Sequence, residues 1–267
     1  MGKFALKTIV ITGAPEGMGR ALARELSPDR PRLVLAARDE QRLNAAAEEC
    51  RALGAEVLAV PTDVSIESAC RALIERAVER FGGIDVLVNN AGITMWTRFD
   101  AARDLSAFEQ IMRVNYLSGV YCTAAALPHL KKSRGLIVAV ASMAGLTGVP
   151  ERTGYAASKH AQVGFFESLR IELEDSGVGV TVIAPDFVVS QIHRRALGPD
   201  GKPLGASPMV EPKIMTAEEC ARLMRRAMER RDRLLITSLR GKLGVLVRTF
   251  APGLIDRIAA RAIRNKH

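Results

Sequence analysis

Tyr155 and Lys159 stand four residues apart, so on a helix they share one face. That spacing has a chemical use. A phenol, with an ordinary pKa of about 10, keeps its proton at neutral pH. A nearby ammonium, joined by the positively charged ring of an oxidised cofactor, stabilises the phenolate and lowers that value. The tyrosine can then donate a proton to a carbonyl oxygen or accept one from an alcohol. His160 follows Lys159 but points about 100° away around the helix, so no chemistry is assigned to it.

A second pattern lies near the start of the chain. Residues 12–19 read Thr-Gly-Ala-Pro-Glu-Gly-Met-Gly, after an apolar run and before a helical stretch at 20–26. Glycines at such a turn, here Gly13, Gly17 and Gly19 around Met18, let the backbone approach a pyrophosphate. The start of the following helix stabilises its charge. The spacing G-x-x-x-G-x-G differs from the common G-x-G-x-x-G dinucleotide pattern. Its position after the first of several alternating strands and helices still points to a nucleotide.

These groups need a scaffold. Apolar runs at Thr8–Thr12, 33–36, 57–60, Val86–Asn89, 136–141, 178–184 and 234–237 alternate with helical patterns such as 39–53 and 65–81. Most runs are apolar throughout, as expected of strands covered on both faces of a parallel sheet. In 65–81, Ser65 is placed as the cap and Glu67 in the first turn, where an acid suits the helix dipole. The expected fold is α/β: a single-domain, Rossmann-type doubly wound sheet of about seven parallel strands with a C-terminal helical extension. Residues 1–237 form the cofactor- and substrate-binding domain and 238–267 the extension. The Pro- and Gly-rich stretch 187–212 reads as a substrate loop or lid.

Composition excludes several classes. The 267 residues are 48 % hydrophobic and 25 % charged, which rules out disorder and collagen-like repeats and is enough to bury a core. Cys50, Cys70, Cys122 and Cys220 are far apart and in apolar contexts, so neither disulfides nor a metal site is expected. They suit a reducing cytoplasm. The longest tidy apolar stretch, 135–150, is too short for a membrane span, and the N-terminal apolar run reads as a strand, not a signal peptide. The net charge of +9 is concentrated in one place. From residue 222 onward there are 13 Lys/Arg against three acids, whereas the first 221 residues carry 25 basic and 26 acidic groups. A basic tail without base-stacking aromatics does not suggest nucleic acid.

The glycine turn, Asp63-Val64, Asn89-Asn90-Ala91-Gly92, Asn115, Ser142 and Tyr155-Ala156-Ala157-Ser158-Lys159 occur in an order and spacing that resemble the classical short-chain dehydrogenase/reductase family. The likeness runs from about Ile9 to about Ser190. It implies a nicotinamide dinucleotide and one domain holding both cofactor and substrate. Carried over by position, Asp63 would hydrogen-bond the adenine amino group and Val64 would supply backbone contact. Asn89 would fix the central strand, and Ala91 and Gly92 would line the adenosine ribose. Ser142 would orient the substrate oxygen, and Lys159 would also hold the nicotinamide ribose. Asn115 would hold a water linking Lys159 to solvent. Pro185 and the backbone of Val188 would flank the nicotinamide carboxamide, with Ser190 in place of the usual Thr. Asp186 departs from the family's Pro-Gly and puts the local backbone in question.

The end of the second strand decides between cofactors. Ala37 stands where NAD-specific members carry an acid, and Arg38 follows. A guanidinium pairs with a 2′-phosphate, so NADP is expected over NAD. Glu16, a loop carboxylate where many NADP-using relatives have Lys or Arg, argues the other way. Thr94, Met95, Trp96, Met143, Phe187, Ile192, Leu204 and Met209 are expected to line a mostly apolar substrate site. No acid or arginine is placed to grip a charged substrate, although Arg98, Arg194 and Arg195 are within reach of the loop. The expected activity is NADP(H)-dependent interconversion of an apolar ketone and a secondary alcohol. The alternative is a cofactor-binding regulatory or scaffold protein of the same fold. Relatives form dimers or tetramers through the helices bearing Asn115 and Tyr155. In the tail, Leu239, Leu243, Leu246, Val247 and Phe250 recur at helical spacing, and Ile255, Ile258, Ala259, Ala262 and Ile263 resume the stripe with arginines interleaved. That stripe either packs on the domain or a partner subunit, or lies against an anionic membrane surface.

Overall fold

Valine, isoleucine and leucine fill the short runs, and in the computed structural model those runs form a parallel sheet. Residues 2–207 and 214–264 are described, with side chains to 261. The strands are β1 (Thr8–Thr12), β2 (Arg32–Ala37), β3 (Glu56–Pro61), β4 (Val86–Asn89), β5 (Leu136–Val140), β6 (Gly179–Ala184) and β7 (Leu234–Ile236). Their order is β3-β2-β1-β4-β5-β6-β7, all parallel. The order reverses between β1 and β4, the crevice where ligands of such sheets bind.

The apolar runs are continuous because both faces are covered. Helices α1 (Gly17–Leu26), α2 (Glu40–Ala52) and α7 (Ala217–Arg230) pack on one face; α3 (Glu67–Phe81), α5 (Ser118–Ser133) and α6 (Thr153–Glu172) pack on the other. Along β1, Ile9 and Ile11 join Leu22, Leu43 and Met224 in the first core, while Val10 joins Leu73, Leu130 and Phe166 in the second. All four cysteines are free and buried. Cys50 and Cys220 sit in one core, Cys70 and Cys122 in the other.

Two local details differ from expectation. Helix α3 opens at Glu67 with Ile66 before it and no side-chain cap. The Ser65 hydroxyl is instead spent on Asp63, whose Oδ1 accepts from Ser65 N–H at 2.9 Å and Oγ–H at 2.7 Å. Between α4 (Ser106–Met112) and α5, residues Arg113–Leu117 form one π-helical turn. The extra residue re-aims Asn115 into the interior, where it is fully buried.

The tail forms α8 (Leu239–Phe250) and α9 (Pro252–Arg264). Among the described residues no helix is long and apolar enough to cross a membrane. The leucines and Phe250 of the α8 stripe do not pack on the domain: Leu239 is 83 % and Phe250 80 % exposed, with Leu243 and Leu246 also exposed, whereas Val247, Ile255 and Ala259 are partly covered. The side chains of Ala262 and Ile263 lie outside the described residues. What docks α8 is polar and small. Asp186 accepts from Ser238 Oγ at 2.7 Å and from Arg240 Nη2 at 2.8 Å. Its own N–H donates to Thr237 Oγ1 at 3.1 Å. Arg248 donates to the Leu146 carbonyl. A Cβ at Gly241 would lie only 3.0 Å from Met143 Sδ, so glycine allows the close approach. Asp186 is not among the positive-φ residues, so this position needs no glycine.

Asp186 is therefore expected to tether α8 to the end of β6. Asp186→Ala should lower stability by about 1–2 kcal/mol and speed proteolytic cleavage within 237–251. Limited proteolysis and thermal melts check this; unchanged cleavage would mean the tail is held by other contacts.

Candidate active site

Three glycines shape the cradle. Gly13 has φ +64°, and a Cβ there would meet Ala91 Cα at 2.8 Å. A Cβ at Gly19 would lie 2.4 Å from the Gly13 carbonyl oxygen. Gly17, at φ +52°, faces Ser190, whose Cβ would be 3.2 Å away. The cradle is locked to the neighbouring strand. Thr12 Oγ1 accepts from the N–H groups of Asn90 and Ala91, both at 3.0 Å. Asn90 Nδ2 donates back to the carbonyls of Thr12 at 2.8 Å and Gly13 at 3.1 Å. Asn90, read in sequence only as part of the motif, is the side chain that ties the two loops together. Asn89 is buried and donates to Thr123 Oγ1 at 3.1 Å.

The start of α1 has no side-chain cap and no acid in its first turn. Its backbone N–H groups thus suit an anionic ligand, and the glycine cradle leaves room for a pyrophosphate. The residues fit a dinucleotide. Farther out, Asp63 keeps a lowered pKa: burial pushes it up, but the two Ser65 hydrogen bonds and the charge of Arg38 outweigh that. Val64 is buried, its carbonyl accepting from Cys70 Sγ at 3.3 Å. Arg38 is exposed at the end of β2 and forms no ion pair with any described acid. Glu16 is not a free loop carboxylate. It accepts from Arg195 Nη1 and Nη2 at 2.7 and 2.8 Å and from Arg42 at 2.5 Å. Burial raises its pKa, but these two arginines more than reverse the effect.

The acid–base group gathers where β5 meets α6. Ser142, just beyond β5, accepts from Ala144 N–H at 3.2 Å and borders the same cavity as Tyr155. Burial raises the Tyr155 pKa; Ser142 and the charge of Arg152 oppose it without cancelling it. Tyr155 and Lys159 lie on one helix, four residues apart and both buried. Lys159 Nζ lies 5.9 Å from the Tyr155 ring centroid and donates to the Val140 carbonyl at 2.8 Å and Gln162 Oε1 at 3.0 Å. Desolvation pushes the Lys159 pKa down to about 7. Asn115 clasps Ile93, accepting its N–H at 2.8 Å and donating to its carbonyl at 2.9 Å, and also donates to Ser158 Oγ at 2.9 Å. Gly92 lies between these groups: a Cβ there would be 3.3 Å from Asn115 Oδ1 and 3.7 Å from Lys159 Nζ. His160 hydrogen-bonds the Ala156 carbonyl at 2.9 Å, away from the site.

Tyr155 opens onto a cavity of about 1190 Å³, bordered by Met18, Ser142, Pro185, Val188 and Ser190. Pro185 accepts from Met143 N–H at 2.9 Å, and Val188 is buried with its carbonyl against His193 Nε2 at 3.2 Å. Trp96, Met143, Phe187 and Ile192 line the cavity as expected. Thr94 and Met95 are buried instead, Met95 in a small cluster beneath Tyr155, because this segment runs under the surface it was expected to line. Leu204 is exposed on the loop and Met209 lies outside the described residues. Gly244, Ile255 and Ala259 of the tail add a wall. Arg98 pairs with Asp100 and Arg195 with Glu16, and neither borders the cavity. The arginine that does stand beside Tyr155 is Arg152, buried and three residues ahead of it. The i, i+3 spacing to Tyr155 was the available signal.

The family model described as "short chain dehydrogenase" matches residues 7–198. The chain is 44 % identical over 183 residues to an 11-beta-hydroxysteroid dehydrogenase-like protein, 4A, of Arabidopsis thaliana, covering 68 % of this chain and 61 % of that relative. It is 35 % identical over 260 residues to an 11-beta-hydroxysteroid dehydrogenase of Pinus massoniana, covering 94 % and 72 %. A short chain dehydrogenase/reductase from Burkholderia phymatum in complex with NAD superposes with TM-score 0.82 at 28 % identity, covering 95 % of this chain and 96 % of that one. An alcohol dehydrogenase from Thermococcus sibiricus complexed with 5-hydroxy-NADP gives 0.74 at 28 % identity, covering 86 % and 95 %.

The buried ammonium predicts a pH dependence. Lys159 loses its proton near pH 7 in the fold, whereas unfolding restores its ordinary value of 10.5. Between these limits the unfolded chain binds the extra proton, so stability rises with pH. Thermal melts of cofactor-free protein from pH 7 to 10 should show this rise, on the order of a few kcal/mol. Lys159→Met should flatten it. Parallel curves for the two proteins would mean that Lys159 titrates normally.

Proposed function

This chain belongs to the short chain dehydrogenase family, and on that premise we propose that it is an NADP(H)-dependent oxidoreductase. It interconverts an apolar ketone and a secondary alcohol, with Tyr155 as general acid and base. The observation that carries this reading is that Tyr155 and Ser142 border one large cavity, which reaches Met18 and Ser190 beside the glycine cradle. The hydroxysteroid dehydrogenase names of the relatives support an apolar substrate.

When bound, the nicotinamide supplies hydride to a carbonyl carbon or takes it from an alcohol. The chain's own residues do the rest. Gly13, Gly17 and Gly19 admit the pyrophosphate to the start of α1, and Pro185, Val188 and Ser190 border the nicotinamide end. Ser142 holds the substrate oxygen against Tyr155. Burial keeps the phenol protonated at neutral pH, which suits a proton donor to that oxygen. Lys159 and Asn115 act behind it: Asn115 fixes the Ile93 backbone and Ser158, and the Lys159 ammonium stands 5.9 Å from the Tyr155 ring.

The preference for NADP rests on charge. Glu16 and Asp39 are matched by Arg42 and Arg195, so neither presents a bare carboxylate to a 2′-phosphate. Arg38 is left to receive it.

Tyr155→Phe should lower turnover of ketones by about a hundredfold or more while leaving NADPH binding nearly unchanged. Steady-state rates at 340 nm and a cofactor titration measure both, and a variant keeping more than about a tenth of wild-type activity would remove Tyr155 from the chemistry. Arg38→Asp should raise KM for NADPH far more than for NADH, by the loss of a charge-assisted contact of about 1.5–3 kcal/mol. Equal changes for the two cofactors would mean that Arg38 touches neither.

A further inference from the structure

Arg152 precedes the first turn of α6 and is 5 % exposed. Its guanidinium carbon lies 4.0 Å from the Trp96 ring centroid, 5.4 Å from Phe187 and 5.8 Å from Tyr155. Both Nε and Nη2 are buried with no hydrogen-bond partner among the described residues. The rings attract the cation but offer no lone pairs to its N–H groups. No acid stands in the first turn of α6, an end of the helix that already carries partial positive charge. The neighbouring Glu151 carboxylate is turned to Trp96, accepting its Nε1–H at 2.9 Å. A cation and a helix start thus meet at the cavity wall; the charge of Glu151 acts on the cation, but no carboxylate among the described residues hydrogen-bonds its Nε or Nη2.

The two unsatisfied atoms form one edge of the guanidinium, and the same edge elsewhere in this chain holds carboxylates. Arg98 uses Nε and Nη2 on Asp100 at 3.0 and 2.6 Å. Arg240 uses them on Asp186 at 3.2 and 2.8 Å. We propose that Arg152 recognises a carboxylate on the substrate, and that the substrate is an apolar oxo acid or the matching hydroxy acid. The Nε–Nη2 edge takes the carboxylate while the carbonyl oxygen faces Ser142 and Tyr155. Met143, Val149, Ile192 and Leu223 enclose the apolar remainder. For the reacting carbonyl this rests on the oxidoreductase reading above; the carboxylate contact does not. In reduction the carbonyl carbon takes the hydride of the reduced cofactor, Tyr155 gives its proton to the oxygen, and the carboxylate is unchanged. A neutral substrate would leave the buried edge of Arg152 unpaired throughout.

Trp96 is the single tryptophan of the chain, so its fluorescence reports this pocket. The full chain, with and without NADP⁺, is titrated with octanoate and with methyl octanoate. Octanoate should bind at least tenfold more tightly than the ester. Arg152→Met should erase that difference, and Arg152→Lys, which keeps the charge without the planar fork, should retain part of it. The lysine variant carries the comparison should the methionine variant not fold. Equal binding of acid and ester by the wild type overturns the proposal, as does an acid preference that survives Arg152→Met. Reduction of 4-oxodecanoate and of its methyl ester is measured alongside, and the acid should be favoured at least tenfold in kcat/KM. Selective octanoate binding without turnover of either compound overturns the oxidoreductase reading and leaves the carboxylate site standing.

Discussion

Two buried cations, Arg152 just ahead of α6 and Lys159 within it, flank Tyr155, and neither forms an ion pair with a carboxylate among the described residues. Burying an unpaired charge is costly in any protein interior, so the surroundings must compensate or the charge must give way. Both happen here. Lys159 gives way, its pKa falling to about 7 among neutral acceptors, the Val140 carbonyl and Gln162. Arg152 cannot lose its proton in a working pH range, and it is held instead between aromatic faces. Tyr155, between them, is kept protonated by the same burial. The chemistry of the site is thus a consequence of desolvation acting on three residues within two turns of one helix.

That arrangement requires rigid surroundings. The helix packs through Phe166 and Val163 into one of the two cores that sandwich the sheet, and its first turns rest on the cluster containing Met95 and Ile111. Gly145 passes so close that an added Cβ would meet the Lys159 carbonyl at 2.7 Å. On the cofactor side, Thr12 and Asn90 bind the glycine turn to the loop after β4 by reciprocal hydrogen bonds. The two loops at the point where strand order reverses therefore behave as one backbone unit. A pyrophosphate site built from such backbone groups needs no side-chain rearrangement to accept an anion.

Charge pairing links the more variable parts to this frame. Glu16 on the glycine turn holds Arg195 of the loop after β6, and Asp186 at the root of that loop holds Ser238 and Arg240 of the tail. The departure from Pro-Gly at Pro185-Asp186 is thereby explained: the carboxylate replaces a backbone freedom the position does not use with an anchor for α8. The tail in turn presses Gly241 against Met143, the residue after Ser142. Its leucines face outward, because docking is achieved by glycines and ion pairs rather than by the apolar stripe.

The sequence by itself determined the doubly wound sheet, the strand positions to within a residue or two, the glycine turn and the Ser142, Tyr155 and Lys159 set. Each of these rests on local signals: runs of apolar residues with both faces covered, and motif residues at short spacing. Tertiary structure alone decided the rest, since it depends on what distant segments bring to a side chain. Residue spacing set Lys159 beside Tyr155; only the fold desolvates both groups and aims the ammonium at Val140 and Gln162. Glu16 read as a loop acid until Arg42 and Arg195 arrived from 26 and 179 residues away. Thr94 and Met95 share a segment with Trp96, yet only the fold decides which of them faces the cavity. Arg152 drew no reading from its place in the sequence; its burial, and the two N–H donors left without a described partner beside Tyr155, come from Trp96 and Phe187 closing over it from other parts of the chain.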